Sequence, residues 1–157
     1  MTARILGSLS SMAALALVVI GSACTRHEMP NEFDPARDPA KDVAAAVALA
    51  KAQDRRVIVD VGGEWCSWCH TMDRFIAAND DLKSLVNARY VWVKVNYSKE
   101  NKNEAFLSRW PKIEGYPHLF VLDADGKLLH SQDTGALEAG KTYDKGKFLA
   151  FVQRWAG

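Results

Sequence analysis

Two of the chain's three cysteines, Cys66 and Cys69, lie with two residues between them in the stretch Asp60 to His70, DVGGEWCSWCH. Cysteines at that spacing can serve thiol–disulfide exchange or metal ligation, and because His70 follows directly, the run also spells the C-x-x-C-H of covalent haem attachment. Zinc held by Cys66, Cys69 and His70 needs a fourth ligand, for which the sequence offers no obvious candidate. A haem needs a second axial ligand, commonly a downstream methionine or histidine. The last methionine, Met72, is too close, which leaves His118 and His130, and neither sits in a motif. Exchange needs a thiolate, of which a free cysteine holds little near neutrality. Asp60 is the only acid in an otherwise apolar run. Burial would raise its pKa and make it a proton acceptor near neutrality; the other reading is an aspartate at a strand end turned to solvent.

These residues need elements to position them. Arg56 to Val61 reads as a strand whose continuous apolar run is covered on both faces. Gly62-Gly63 loosens the backbone, and Cys66 to about Ala78 reads as a helix with Met72, Phe75 and Ile76 on one face. Upstream, Lys41 to Gln53 is an Ala-rich helix with Val43, Val47 and Ala50 on one face and Asp38-Pro39 as its entry. Downstream, Asn79-Asp80 caps a second helical piece, Asp81 to Asn87, and Tyr90 to Val95 is a β-branched and aromatic strand. Asn101 and Glu104 form a capping-box-like pair opening a short helix stopped by Pro111. Leu119 to Leu122 and Lys127 to Ser131 make a hairpin about Asp123-Ala124-Asp125-Gly126. Gly135 to Tyr143 reads as a loop, and Asp144 to Trp155 as a closing helix with Phe148, Phe151, Val152 and Trp155 at helical spacing. The order α-β-α-β-α-β-β-α predicts first two strands that are parallel through a right-handed crossover, last two that are antiparallel, and an α/β fold with a central mixed sheet flanked by helices.

The chain has 157 residues and a formal net charge of +1. With only Arg4 charged in the first 23 residues, the remainder balances 19 basic against 19 acidic side chains, so nothing points to a nucleic acid or polyanionic partner. Residues 1–23 read as an export signal: Arg4, then the apolar run Met12 to Ile20, then Gly21-Ser22-Ala23. That run is too short to cross a bilayer, which takes roughly 20 residues, although the uncharged stretch from Ile5 to Ala23 admits an uncleaved anchor. Ile20-Gly21-Ser22-Ala23-Cys24 resembles the lipobox of bacterial lipoproteins, with Gly21 in place of the usual leucine; the resemblance implies that Cys24 becomes a lipidated N-terminus. Lipidation also accounts for the odd cysteine count; the alternative is ordinary cleavage with Cys24 free or disulfide-paired. Thr25 is not the aspartate that favours inner-membrane retention in such proteins, so an outer-membrane anchor facing the periplasm is favoured. Residues 25–40, with Pro30, Pro35 and Pro39, read as an extended tether, and 41–157 as the domain.

From about Val43 to Trp155 the chain resembles the thioredoxin-like family. Trp65-Cys66-x-x-Cys69 matches the family's active-site motif, and Asp60 its buried acid. Ile113 to Pro117 matches the segment ending in the family's cis-proline, and Phe120 to Gly126 the strand and turn beyond it. Ser67-Trp68 replaces the Gly-Pro of thioredoxin itself, His70 replaces a basic residue, and Gly62 stands where thioredoxin has an aromatic. The resemblance implies an exported thiol–disulfide oxidoreductase acting on protein thiols or disulfides, with an unidentified recycling partner and no cofactor or metal beyond the Cys66–Cys69 pair. At the strand–helix junction Cys66 is expected to be exposed, its thiolate favoured by the helix start, and to attack first. Cys69 is expected to be shielded and to resolve the mixed disulfide, with Asp60 aiding its deprotonation. Tyr116 and a cis Pro117 would present backbone to an extended substrate segment, and Trp65 and Trp68 a docking patch, unless one of them, Trp65 foremost, packs on the domain. His70, if charged, would stabilise the Cys66 thiolate; otherwise it is a solvated helix histidine. A non-catalytic binding module that keeps the fold is the alternative, ahead of the haem protein.

Overall fold

The computed structural model describes residues 29–157. The expected export signal, Cys24 and the first part of the expected tether lie outside the described residues. The elements in chain order are α1 (Pro39–Ala52), β1 (Arg56–Gly62), α2 (Ser67–Ala78), α3 (Asp80–Arg89), β2 (Tyr90–Asn96), α4 (Glu104–Leu107), β3 (His118–Leu122), β4 (Leu128–Asp133), a 3-10 turn (Thr134–Leu137), β5 (Glu138–Ala139), β6 (Thr142–Tyr143) and α5 (Lys145–Arg154).

The main sheet runs β2-β1-β3-β4. β1 and β2 pair in parallel, with Asp60 opposite Lys94, while β1–β3 and β3–β4 are antiparallel. This is the mixed sheet expected from the element order. Side chains alternate across it. Val57, Val59 and Val61 meet Val43, Ala46 and Ala50 of α1 and Phe106 of α4 on one face. Ile58 and Trp92 meet Met72 and Ile76 of α2 and Phe148 and Val152 of α5 on the other. Both faces are covered, which explains the unbroken apolar runs; each such side chain contributes about 1.5–3 kcal/mol on burial. Asp60 belongs by parity to the α2 face, so the strand that packs the core also carries the acid inward.

Four local expectations change. Residues 29–38 form no regular element, as their prolines dictate, yet they are not a free tether: Phe33 is 1% exposed, and Asn101 donates through Nδ2 to the Pro35 carbonyl at 2.9 Å. One large aromatic gains more from burial than a short segment needs to stay solvated. The Asn79 side chain does not cap α3; its Nδ2 donates to the Phe75 carbonyl at 2.8 Å and closes α2. The Asn101–Glu104 capping box is absent, because Asn101 Oδ1 accepts from the Asn103 N–H (3.1 Å) and Asn103, at φ 50°, starts α4. The expected loop 135–143 contains the 3-10 turn, whose end is followed by the β5–β6 hairpin.

Candidate functional site

The site is built at the C-terminal end of β1. The chain leaves the sheet at Gly62, turns tightly with the Cys66 N–H donating to the Gly63 carbonyl (2.9 Å), and enters α2 with Cys66 as its N-cap. The Cys66 sulfur accepts from the Cys69 N–H at 3.1 Å, a donor of the first turn that also reaches the Cys66 carbonyl at 3.1 Å. Cys66 and Cys69 are joined by a disulfide, their Cα atoms 5.3 Å apart. Cys66 is not exposed as expected: it is 3% accessible and Cys69 1%, both under a cover of Phe33, Trp68 and Tyr116. Two of the three, Phe33 and Tyr116, come from distant parts of the chain, which the local spacing around the cysteines does not contain.

Asp60, two residues before Gly62 on β1, is fully buried. One oxygen accepts from Trp92 Nε1 at 3.2 Å, and the other is buried with no hydrogen-bond partner among the described residues. Loss of water pushes its pKa up to about 7; Lys94 opposes the rise and Asp73 adds to it. The solvent-facing alternative for Asp60 is therefore set aside. Lys94 lies opposite Asp60 in the sheet, with its side chain 2% exposed, and donates from Nζ to Asp73 Oδ2 of α2 at 2.6 Å.

The Tyr116–Pro117 peptide bond is cis, as the resemblance implied, and immediately precedes β3. Tyr116 packs on the cysteine pair and stacks on Tyr97 with ring centroids 4.9 Å apart. Burial and the neighbouring Tyr97 push its hydroxyl up to about 12, so it stays protonated. The Pro117 carbonyl accepts from Thr134 Oγ at 2.6 Å. Trp68, and not Trp65, is the tryptophan that packs inward: it meets Tyr143 edge-on at 5.6 Å. Trp65 is 57% exposed, leans edge-on against Tyr116 and donates from Nε1 to the Tyr97 carbonyl at 2.6 Å. His70 is neither freely solvated nor aimed at a sulfur by any bond found: its Nε2 meets the Glu64 carbonyl at 2.9 Å, with the Glu64 carboxylate 3.6 Å away.

Sequence reasoning missed Phe33, Glu64, Trp92, Asp73 and Lys94. Lys94 carried a legible signal, as the only charge in the apolar strand Tyr90 to Val95. Phe33 carried none beyond being a lone aromatic among prolines.

A thioredoxin-like family model matches residues 38–124. Disulfide bond reductase DsbH of Chlamydia pneumoniae is 29% identical over 76 residues, 43% of this chain and 45% of that protein. Thiol:disulfide interchange protein DsbD of Pseudomonas fluorescens is 30% identical over 108 residues, 68% of this chain and 17% of that protein. The chain thus matches less than half the length of these relatives. Among solved structures, disulphide isomerase from Xylella fastidiosa superposes with a TM-score of 0.67 at 21% identity, covering 81% of this chain and 96% of that one. The C-terminal domain of DsbD from Neisseria meningitidis, in its oxidised form, superposes with 0.57 at 20% identity, covering 79% and 98%. At these identities the structural likeness speaks to the fold.

Proposed function

The chain belongs to the thioredoxin-like family, and from that premise we propose that it is an exported thiol–disulfide oxidoreductase working on protein thiols and disulfides through Cys66 and Cys69. The observation that carries this reading is the Cys66–Cys69 disulfide at the start of α2, with a buried Asp60 on the strand that leads to it, its pKa pushed up to about 7.

In the reducing half-cycle a partner thiolate attacks the Cys66 sulfur. A bond forms between those two sulfurs, the Cys66–Cys69 bond breaks, and its electron pair leaves on Cys69, which takes up a proton. A second partner thiolate then attacks the partner sulfur of the mixed disulfide; the partner leaves oxidised and the chain holds two thiols. In the opposite half-cycle the Cys66 thiolate, favoured by the Cys69 N–H and the helix start, opens a partner disulfide. Cys69 then gives its proton to the Asp60 carboxylate and expels the partner. Tyr116 and Pro117 form the wall against which an extended partner segment lies, and exposed Trp65 offers it an apolar contact. His70 acts on the site indirectly, by holding the loop at Glu64. The chemistry runs either way, and the reduction potential of the pair sets its direction. For the same protein we propose a lipid anchor at Cys24, on the lipobox-like run Ile20 to Cys24, with the domain facing the periplasm from the outer membrane.

Acid-quenched trapping on non-reducing gels tests the assignment. Cys69→Ser should accumulate covalent complexes through Cys66, since nothing remains to expel the partner, while Cys66→Ser should give neither complexes nor turnover. The reverse pattern reverses the roles. If neither cysteine reacts, the chain is a binding module that keeps the fold.

A further inference from the structure

We propose that Phe33 is the shield of Cys69: residues 29–38 form a strap that lays its ring against that sulfur, so that incoming thiols and disulfides meet Cys66. This rests on the oxidoreductase reading and adds to it the residue that selects between the two sulfurs.

The placement is built. Gly62 leaves a space at the end of β1, and two groups converge there. A Cβ at residue 62 would stand 2.5 Å from the Cys69 sulfur and 3.0 Å from Cζ of Phe33. Ring and sulfur therefore share one spot above a residue without a side chain. Lys94 Nζ lies over the ring, 4.3 Å from its centroid, and is itself held by Asp73 at 2.6 Å. The strap is fastened on both sides of the ring. The Phe33 N–H donates to Glu64 Oε1 at 2.6 Å, which ties it to the cysteine loop. The Pro35 carbonyl accepts from Asn101 at 2.9 Å, which ties it to the loop after β2. Phe33 is buried where its strap neighbours are partly or fully exposed. Phe33 is the buried aromatic of the cluster it forms with Cys66 and Cys69, and the two other rings packed on that cluster, Trp68 and Tyr116, are only partly buried; at Gly62 it is the Cys69 sulfur that Phe33 meets.

In exchange, a partner sulfur bonds to Cys66 and the electron pair of the broken disulfide leaves on Cys69. The shield keeps the competing bond, partner sulfur to Cys69, from forming, and leaves the pair to depart onto Cys69.

The test needs no turnover. The full chain is reduced and alkylated with iodoacetamide near neutrality, and the rate at each cysteine is read by peptide mass spectrometry for wild type, Phe33→Ala and Phe33→Leu. Wild type should be alkylated faster at Cys66. Phe33→Ala should raise the Cys69 rate by about tenfold or more, with Cys66 changed by less than about threefold, and Phe33→Leu should restore the wild-type ratio. No rise at Cys69 overturns the proposal. An equal rise at both sulfurs also overturns it, since that is the signature of a general lid or of a loosened fold. If Cys69 is selectively uncovered in a chain whose wild type exchanges with no protein thiol, the shield stands and the oxidoreductase reading falls.

Discussion

Asp60 occupies a position that costs the fold something. An aspartate in an unfolded chain titrates near 3.9, as a rough reference, whereas the folded one is pushed up to about 7 by burial. Between those values the folded chain holds a proton that the unfolded chain has released. Stability therefore falls as pH rises through that window and stays lower above it. Asp60→Asn removes the titration while keeping an oxygen for Trp92. The oxidised variant should be more stable than wild type at alkaline pH, on the order of 2–4 kcal/mol, with the gain vanishing toward pH ~4. Denaturant unfolding across that range checks this, and a constant difference at every pH would mean that Asp60 is not the group responsible. The same variant should keep the first attack by Cys66 and slow resolution near neutrality, because only the second step needs a proton acceptor. Burial sets the direction of its titration, which Lys94 opposes and Asp73 reinforces.

The elements around the site owe their ends to specific side chains. α1 starts where Asp38 accepts from the Ala40 and Lys41 N–H groups ahead of Pro39, and α5 starts where Asp144 accepts from the Lys147 N–H at 2.9 Å. α5 brings Phe148 and Val152 beneath α2, so its first turn supports the helix that carries the cysteines. Asp144→Ala should cost about 1 kcal/mol, lowering the melting temperature by about 3 °C, with the glutathione titration of the cysteine pair unchanged. A shifted redox midpoint would show that α5 influences the chemistry beyond holding the core. α2 itself starts on a sulfur instead of a hydroxyl or carboxylate. The Cys69 N–H is shared between that sulfur and the Cys66 carbonyl, each at 3.1 Å.

As a whole molecule the domain is a sheet packed on both faces, with the redox pair at the edge where β1, α2, the Tyr116–Pro117 turn and the strap meet. No helix among the described residues is long and apolar enough to cross a membrane; the proposed anchor, Cys24, lies outside them. Phe33 is nine positions after Cys24, and an extended chain of that length spans at most about 30 Å. An anchored protein would therefore hold its redox face close to the lipid surface and meet partners there. Mass spectrometry should find the mature chain beginning at a modified Cys24 and fractionating with membranes. Cys24→Ser should release it with the Cys66–Cys69 titration unaltered. An unmodified Cys24 in the exported protein would remove the anchor from the account and leave the redox site as it is.

The features legible in the sequence were those whose cause is local. The strand at Val57 to Val61 follows from a short β-branched run, the helix after Cys66 from its apolar spacing, and the β3–β4 turn from Asp123 to Gly126, where the Asp123 carboxylate accepts from the Asp125 and Lys127 N–H groups. A lone acid in an apolar strand already implied burial and a raised pKa, and the structure agrees. What the tertiary structure alone decided depends on partners far along the chain. Asn79 and Asn101 both have capping chemistry, but which carbonyl or N–H lay within reach was set by packing. The choice between Trp65 and Trp68 followed the phase of α2, which turns Trp68 toward Tyr143, 75 residues away. Phe33 reaches Glu64 across 31 residues and Lys94 across the sheet. Burial of a single aromatic has no period and no motif, because its free energy depends on a space that exists only once Gly62, Cys69 and Lys94 have been brought together.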